Sequence, residues 1–197
     1  PELFLRYNAS TRRVTTRPMK GTRPISADPE ELRHAEKDRA ELNMITDLMR
    51  NDLGRVCAFG SVLVDAPRTI EMHGRSVLQA TSTVSGTVRP RVSHSDLIAA
   101  TFPPGSVTGT PKIRAMQLIQ GLEPTPRGFY CGAIGWLDDS GDMELSVSIR
   151  TAVIEARTGC SRELHYHAGA GIVADSRPEA EGDETMDKAE VLRRALS

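Results

Sequence analysis

Hydrophobic and polar positions alternate with a period of two at the start of the chain. Phe4 to Tyr7 and Arg13 to Arg17, separated by the polar turn Asn8-Ala9-Ser10-Thr11, predict a β-hairpin. The second arm runs into Arg17-Pro18-Met19-Lys20-Gly21-Thr22-Arg23-Pro24, where the prolines fix φ and Gly21 frees it, predicting a sharp turn that aims Lys20. From Asp28 the period lengthens. Asp28 as N-cap, Pro29 at the first position and Glu30 and Glu31 in the first turn predict a helix to about Asp52 that stops near Gly54. Met44, Ile45 and Leu48 form its apolar stripe, and Glu41 projects from the middle of that stripe, an acid where a hydrophobe is expected.

Ser61 to Val64, Thr69 to His73 and Val77 to Val88 read as strands, and Ser95 opens a short helix, Asp96 to Thr101. Phe102 to Lys112 is a loop ending in the N-cap Thr110 and the first-position Pro111 of a helix to about Gln120. Thr110 and Pro111 stand between Gly109 and Lys112, which excludes a Walker-type nucleotide loop. Phe129 to Leu137 and Met143 to Ile154 predict an antiparallel meander around Asp139-Ser140-Gly141-Asp142, with Met143, Leu145, Val147 and Ile149 on one face. Glu163 to His167 is a further strand. It leads into Ala168-Gly169-Ala170-Gly171-Ile172, whose glycines lack dinucleotide-site spacing but expose backbone amides to an anion. A last helix starts near Pro178 and carries the apolar positions Ala189, Leu192 and Leu196. With no repeat, low-complexity stretch or linker, residues 1–197 read as one domain of an α/β (α+β) fold, its mixed, mainly antiparallel sheet having helices packed outside.

Composition narrows the partners. Twenty-five basic against twenty-six acidic residues leave a formal charge of -1, which gives no footprint for nucleic acid or an anionic membrane. No apolar run reaches the length of a membrane span, and the N-terminal residues lack the regions of a signal peptide. Cys57, Cys131 and Cys160 are odd in number and widely spaced, without a paired motif for zinc or redox work, and point to a reducing cytoplasm. The chain opens at Pro1, without Met, directly in strand-like sequence, so it reads as a fragment.

Two constellations carry candidate chemistry. Lys20 is either a solvated surface lysine or a nucleophile whose ammonium is destabilised by desolvation and by Arg17 and Arg23. Glu181, Glu184 and Lys188, three and four residues apart, share one helix face about 60° wide. They form either an ordinary solvated Glu-Lys face or, with Glu41 from the other helix, an oxygen-only ligand set suited to Mg2+ rather than zinc.

Pro18-Met19-Lys20-Gly21-Thr22, Lys37 to Glu41, Asp47 to Gly54, Thr108-Gly109-Thr110-Pro111-Lys112, Ser148-Ile149-Arg150-Thr151 and Gly169 to Ser176 occur in that order. Together they resemble the chorismate-utilising enzymes, the family of anthranilate, aminodeoxychorismate, isochorismate and salicylate synthases. The resemblance covers essentially the whole chain and implies the chorismate-binding fold. It also implies that this is the C-terminal catalytic part, without the N-terminal region of family members. Anthranilate synthases carry Ala where this chain has Lys20, so the lysine implies the aminodeoxychorismate synthase component I branch; the alternatives are anthranilate synthase component I and a truncated, inactive chorismate-binding module.

By that resemblance, Lys20 attacks C2 of chorismate as the 4-hydroxyl leaves, and ammonia then enters at C4 and expels the lysine. Glu2 matches the general acid, Glu41, Glu181 and Glu184 match the Mg2+ ligands, and the ion clamps the ring carboxylate. Arg150, Tyr130 and the amides around Gly169 and Gly171 meet the enolpyruvyl carboxylate, Gly21 and Thr22 line the ring, and Lys188 lies near the metal carboxylates. No amidotransferase triad is present, so glutamine-derived ammonia implies a partner subunit or domain. Two departures stand out: Gln79 replaces a family His near the substrate, and Thr110 replaces the usual Ala.

Overall fold

The structure, a computed structural model, describes residues 2–73, 77–156 and 162–196. The stretch read from the sequence as one domain comprises two compact units, Pro1–Pro124 with Ala133–Val147, and Thr125–Gly132 with Ser148–Ser197.

The first unit is built on a seven-stranded sheet of β1 (Leu3–Asn8), β2 (Arg13–Arg17), β3 (Met19–Pro24), β4 (Leu63–His73), β5 (Val77–Thr87), β6 (Ala133–Leu137) and β7 (Met143–Val147). The order is β3, β5, β2, β1, β7, β6, with β4 on the other edge of β5, and every pairing is antiparallel. Helices α1 (Pro29–His34), α2 (Glu36–Gly54), α3 (His94–Thr101) and α4 (Lys112–Leu122) complete the unit. Leu32 of α1 and Leu42 of α2 pack on Leu78 and Ala80 of β5, with Ile70 of β4 at the margin. Burial of such side chains supplies about 1.5–3 kcal/mol each and fixes which face of β5 looks at the helices.

Lys20 lies on a strand rather than in the expected turn. Met19 and Lys20 pair with Thr81 and Ala80, Thr22 and Arg23 with Gln79 and Leu78, and Gly21, at φ +79°, is the extra residue of a bulge. A Cβ at Gly21 would stand 2.7 Å from Leu32 Cδ1 and 2.8 Å from the Asp38 carboxylate, so both space and backbone demand glycine. Adjacent residues of β5 point to opposite faces. The bulge therefore sends Lys20 with Ala80 to the helix-covered face and Thr22 with Gln79 to the other.

The single helix expected from Asp28 to Asp52 is two. Asp28 does cap α1 through Glu30 N at 2.9 Å, but Ala35 is extended at ψ 99°, and Arg68 Nη2 donates to the freed carbonyl of Leu32. The buried apolar face of α2 is Leu42, Ile45, Met49 and Leu53, while Met44 is exposed. The strands expected at 61–64 and 69–73 are one strand, β4, which bulges on both sides of Ala66 and so passes Pro67, a residue with no N–H to pair. Helix α3 is capped by Ser93, not Ser95, in a reciprocal box with Asp96. Pro111 precedes α4 as its N-cap and no side chain caps it, so Thr110 lacks the expected capping role. The first arm of the meander is shorter than expected, Ala133–Leu137.

The long strand expected to reach Ile154 ends at Val147, and in the second unit Arg150 takes φ +53° before the chain becomes extended again. The chain resumes as β8 (Ala152–Ala156), paired antiparallel with β9 (Arg162–Tyr166). Backbone bonds from Cys131 N to Ser148 O and from Ser148 N to Gly132 O, both 2.9 Å, tie Cys131 and Gly132 to the segment that leads into β8. Helix α5 (Pro178–Leu196) starts where the sequence places it, although Leu196 of its expected apolar stripe is exposed. Cys160 lies outside the described residues.

Candidate active site

In the first unit β3 and α2 bring Lys20 Nζ to 3.6 Å from Glu41 Oε2, with the two side chains only 20% and 13% exposed. The acid in the helix stripe thus faces a lysine rather than a hydrophobe. Arg17 and Arg23 do not supply the cationic pressure expected of them: Arg17 pairs with Glu71 at 2.5 Å and Arg23 with Asp38 at 3.1 Å, so each positive charge is locally neutralised.

Glu2 is 5% exposed, and its carbonyl accepts Val147 N at 2.9 Å, which fixes it at the head of β1. Burial drives its carboxyl pKa up to about 7, against the pull of the nearby Ser106 hydroxyl and of the Lys20 charge. Such a group carries a proton near neutrality and can release it, as a general acid must. Thr22 is exposed and accepts a hydrogen bond from Gln79 Nε2 at 3.3 Å, on the face opposite Lys20. The Gln79 amide is thus engaged with Thr22.

A second largely shielded pair explains two of the sequence motifs. Lys112 Nζ is 2.5 Å from Asp52 Oδ2 and donates to the carbonyls of Thr101 and Pro103, 2.8 Å each. Desolvation raises the Asp52 pKa, with Lys112 opposing it. The lysine that superficially suggests a phosphate loop clamps α2 to the loop after α3.

In the second unit the expected anion-binding residues converge. Lys188 Nζ donates to Gly169 O at 3.0 Å and pairs with Glu184 at 2.5 Å. Arg150 Nη1 and Tyr166 Oη donate to Lys188 O at 3.3 and 3.4 Å, tying α5 to the hairpin and to Arg150. Tyr130 Oη lies so near Gly169 that a Cβ there would be 2.9 Å from it. Gly171 sits two residues further on in the same irregular stretch. Glu181 is buried at 6% exposure in the first turns of α5. Sequence reasoning missed Ser106, Tyr166, Arg127 and His167; the one signal was an aromatic side chain just ahead of the glycines.

Glu41 belongs to the first unit and Glu181 and Glu184 to the second, and among the described residues no cluster of three or more His, Cys, Asp or Glu side chains is gathered to hold an ion. Taken singly, each offers the kind of donor a hard divalent cation takes. All the donors are carboxylate oxygens, and Glu41 and Glu184 each already face an ammonium cation.

The first unit thus holds a largely shielded lysine facing a carboxylate and a buried, proton-carrying acid, and the second unit, taken by itself, holds cationic and hydroxyl donors around Gly169. The chain belongs to the chorismate binding enzyme family, whose sequence pattern it matches over residues 1–194. It is 42% identical to anthranilate synthase component 1 of Aquifex aeolicus and 43% identical to aminodeoxychorismate synthase component 1 of Escherichia coli, in both cases over all of this chain and 40% and 43% of theirs. The solved anthranilate synthase component I of Streptococcus pneumoniae superposes with a TM-score of 0.76 at 36% identity, over 96% of this chain and 41% of that one. The chain thus spans about two fifths of the length of these relatives. Among the described residues no helix is long and apolar enough to cross a membrane.

Proposed function

We propose that the chain is the catalytic portion of a chorismate-aminating synthase of the aminodeoxychorismate synthase component 1 type. The observation that carries this reading is Lys20 itself, largely shielded from solvent, close enough to Glu2 to act on its titration, and standing where the anthranilate branch carries alanine by resemblance. In the proposed reaction, deprotonated Lys20 forms a bond to C2 of chorismate, both ring double bonds shift toward C4, and the 4-hydroxyl departs as water with a proton from Glu2. Ammonia then bonds to C4, both double bonds shift back, the Lys20 amine leaves, and the proton shed by the new ammonium returns to Glu2. The net change is OH for NH2 with release of water.

Tyr130, Arg150, Lys188 and the amides at Gly169 and Gly171 would hold the enolpyruvyl carboxylate, with Arg150 suited to bidentate pairing. Gly21, at the bulge beside Lys20, would line the ring. Glu41, Glu181 and Glu184 would hold Mg2+, which when bound supplies positive charge to the ring carboxylate. Ammonia would come from glutamine through a partner amidotransferase, and the product would serve para-aminobenzoate and folate synthesis in the cytoplasm.

The near-equal identity to anthranilate and aminodeoxychorismate synthases keeps anthranilate synthesis as the second reading. A mass spectrum of the product from chorismate, ammonium and Mg2+ separates them. 4-Amino-4-deoxychorismate is expected; anthranilate with pyruvate would refute the proposed branch.

A further inference from the structure

The ring of Tyr130 is held by a short segment that also presents the glycine at its tip. The imidazole of His167 lies nearly parallel to the ring, at 5.3 Å between centroids and 20° between planes. The guanidinium carbon of Arg127 stands 5.6 Å from the same centroid. Two residues beyond His167, Gly169 leaves just enough room for the phenol oxygen and receives the Lys188 ammonium on its carbonyl. Residues 167–169 thus set both the face and the end of the ring, and bring two donors, Tyr130 Oη and Lys188 Nζ, to one backbone residue. Among the described residues His167 makes no hydrogen bond or ion pair, and its one ring contact is this stack.

We propose that His167 is a positioning residue: by stacking on Tyr130 it fixes the tilt of the phenol, holds the hydroxyl against Gly169 beside Lys188, and so sets the affinity for the carboxylate of the substrate. The proposal rests on the reading of this cluster as the chorismate anchor. A tyrosine ring can rotate about its side-chain torsions, and a flat partner on its face narrows that rotation before the substrate arrives. Aromatic pairs of this kind change equilibria by about three- to tenfold. The effect belongs to binding, because the hydroxyl meets a carboxylate whose charge does not change during the reaction.

The test is steady-state kinetics and calorimetric titration with chorismate on the protein and its variants. His167→Ala is expected to raise KM and Kd about three- to tenfold with kcat within about twofold. His167→Phe keeps a flat partner and is expected to restore KM to within about twofold of the parent. Tyr130→Phe should raise KM as well, and His167→Ala added to it should change nothing more, since no hydroxyl remains to be placed. A folded His167→Ala with KM unchanged, a loss in kcat alone, or failure of the Phe variant to rescue would each overturn the proposal while the parent still binds chorismate. A parent that does not bind chorismate would instead overturn the functional reading beneath it.

Discussion

Two groups of acids in this chain are held in different ways. In the first unit Glu2 and Asp52 are buried and Glu41 is nearly so; Asp52 and Glu41 meet lysines from elements far away in sequence, Lys112 and Lys20. On α5 only Glu181 is buried, and Glu184 pairs with Lys188 one turn along its own helix, with half of the glutamate side chain in solvent. The scaffold follows the same division. Helices α2 and α5 are both 19 residues long, yet α2 buries Leu42, Ile45, Met49 and Leu53, whereas Leu196 of α5 is 67% exposed. Burial raises the proton affinity of Glu2 and Asp52. An acid in a local surface pair, as Glu184 is with Lys188, can exchange its ammonium partner for another cation at little cost.

The contrast can be broken by substitution. Asp52→Ala strands the Lys112 ammonium in a buried place, and chemical denaturation should show a loss of about 3–5 kcal/mol. In the scaffold, Leu42→Ala should lose about 2–5 kcal/mol, and Leu196→Ala should stay within about 0.5 kcal/mol; equal losses would abolish the distinction between the helices.

Acidity gives the next effect. The Glu2 carboxyl keeps its proton in the folded chain up to a pKa of about 7, while the unfolded chain releases it near 4.5. The folded state therefore binds more protons between those values, and its stability falls as pH rises through them. The contribution of Glu2 is complete below pH 4.5 and lost above about 7, a change of about 3 kcal/mol. Denaturation midpoints across this range should show the fall, and Glu2→Gln should flatten it. The smallest effect belongs to α5, where Glu184→Gln should alter metal-free stability by about 0.3–0.5 kcal/mol.

Local signals were legible where partners are near in sequence. The β1–β2 hairpin, the start of α5 at Pro178 and the shared face of Glu181, Glu184 and Lys188 all follow from spacing alone. The Lys20 stretch was misread because a glycine with positive φ serves a turn and a bulge equally well, and only pairing with β5, some sixty residues on, decides between them. The break at Ala35 likewise depends on Arg68 reaching the Leu32 carbonyl. In the site, Arg17 and Arg23 looked available to Lys20 because Glu71 and Asp38 are not its neighbours in the chain. The resemblance named Tyr130, Gly169 and Lys188, but no spacing could show His167 lying on the tyrosine ring, since that contact spans 37 residues and two irregular segments.

The central claim is that Lys20 forms the bond that makes C4 open to ammonia. Product analysis of Lys20→Ala with chorismate, ammonium and Mg2+ tests it most directly. The account predicts that 4-amino-4-deoxychorismate disappears, a fall of at least about a thousandfold, while chorismate still binds and a slow leak to amination at C2 remains. Formation of 4-amino-4-deoxychorismate by Lys20→Ala at a rate close to the parent's would contradict it.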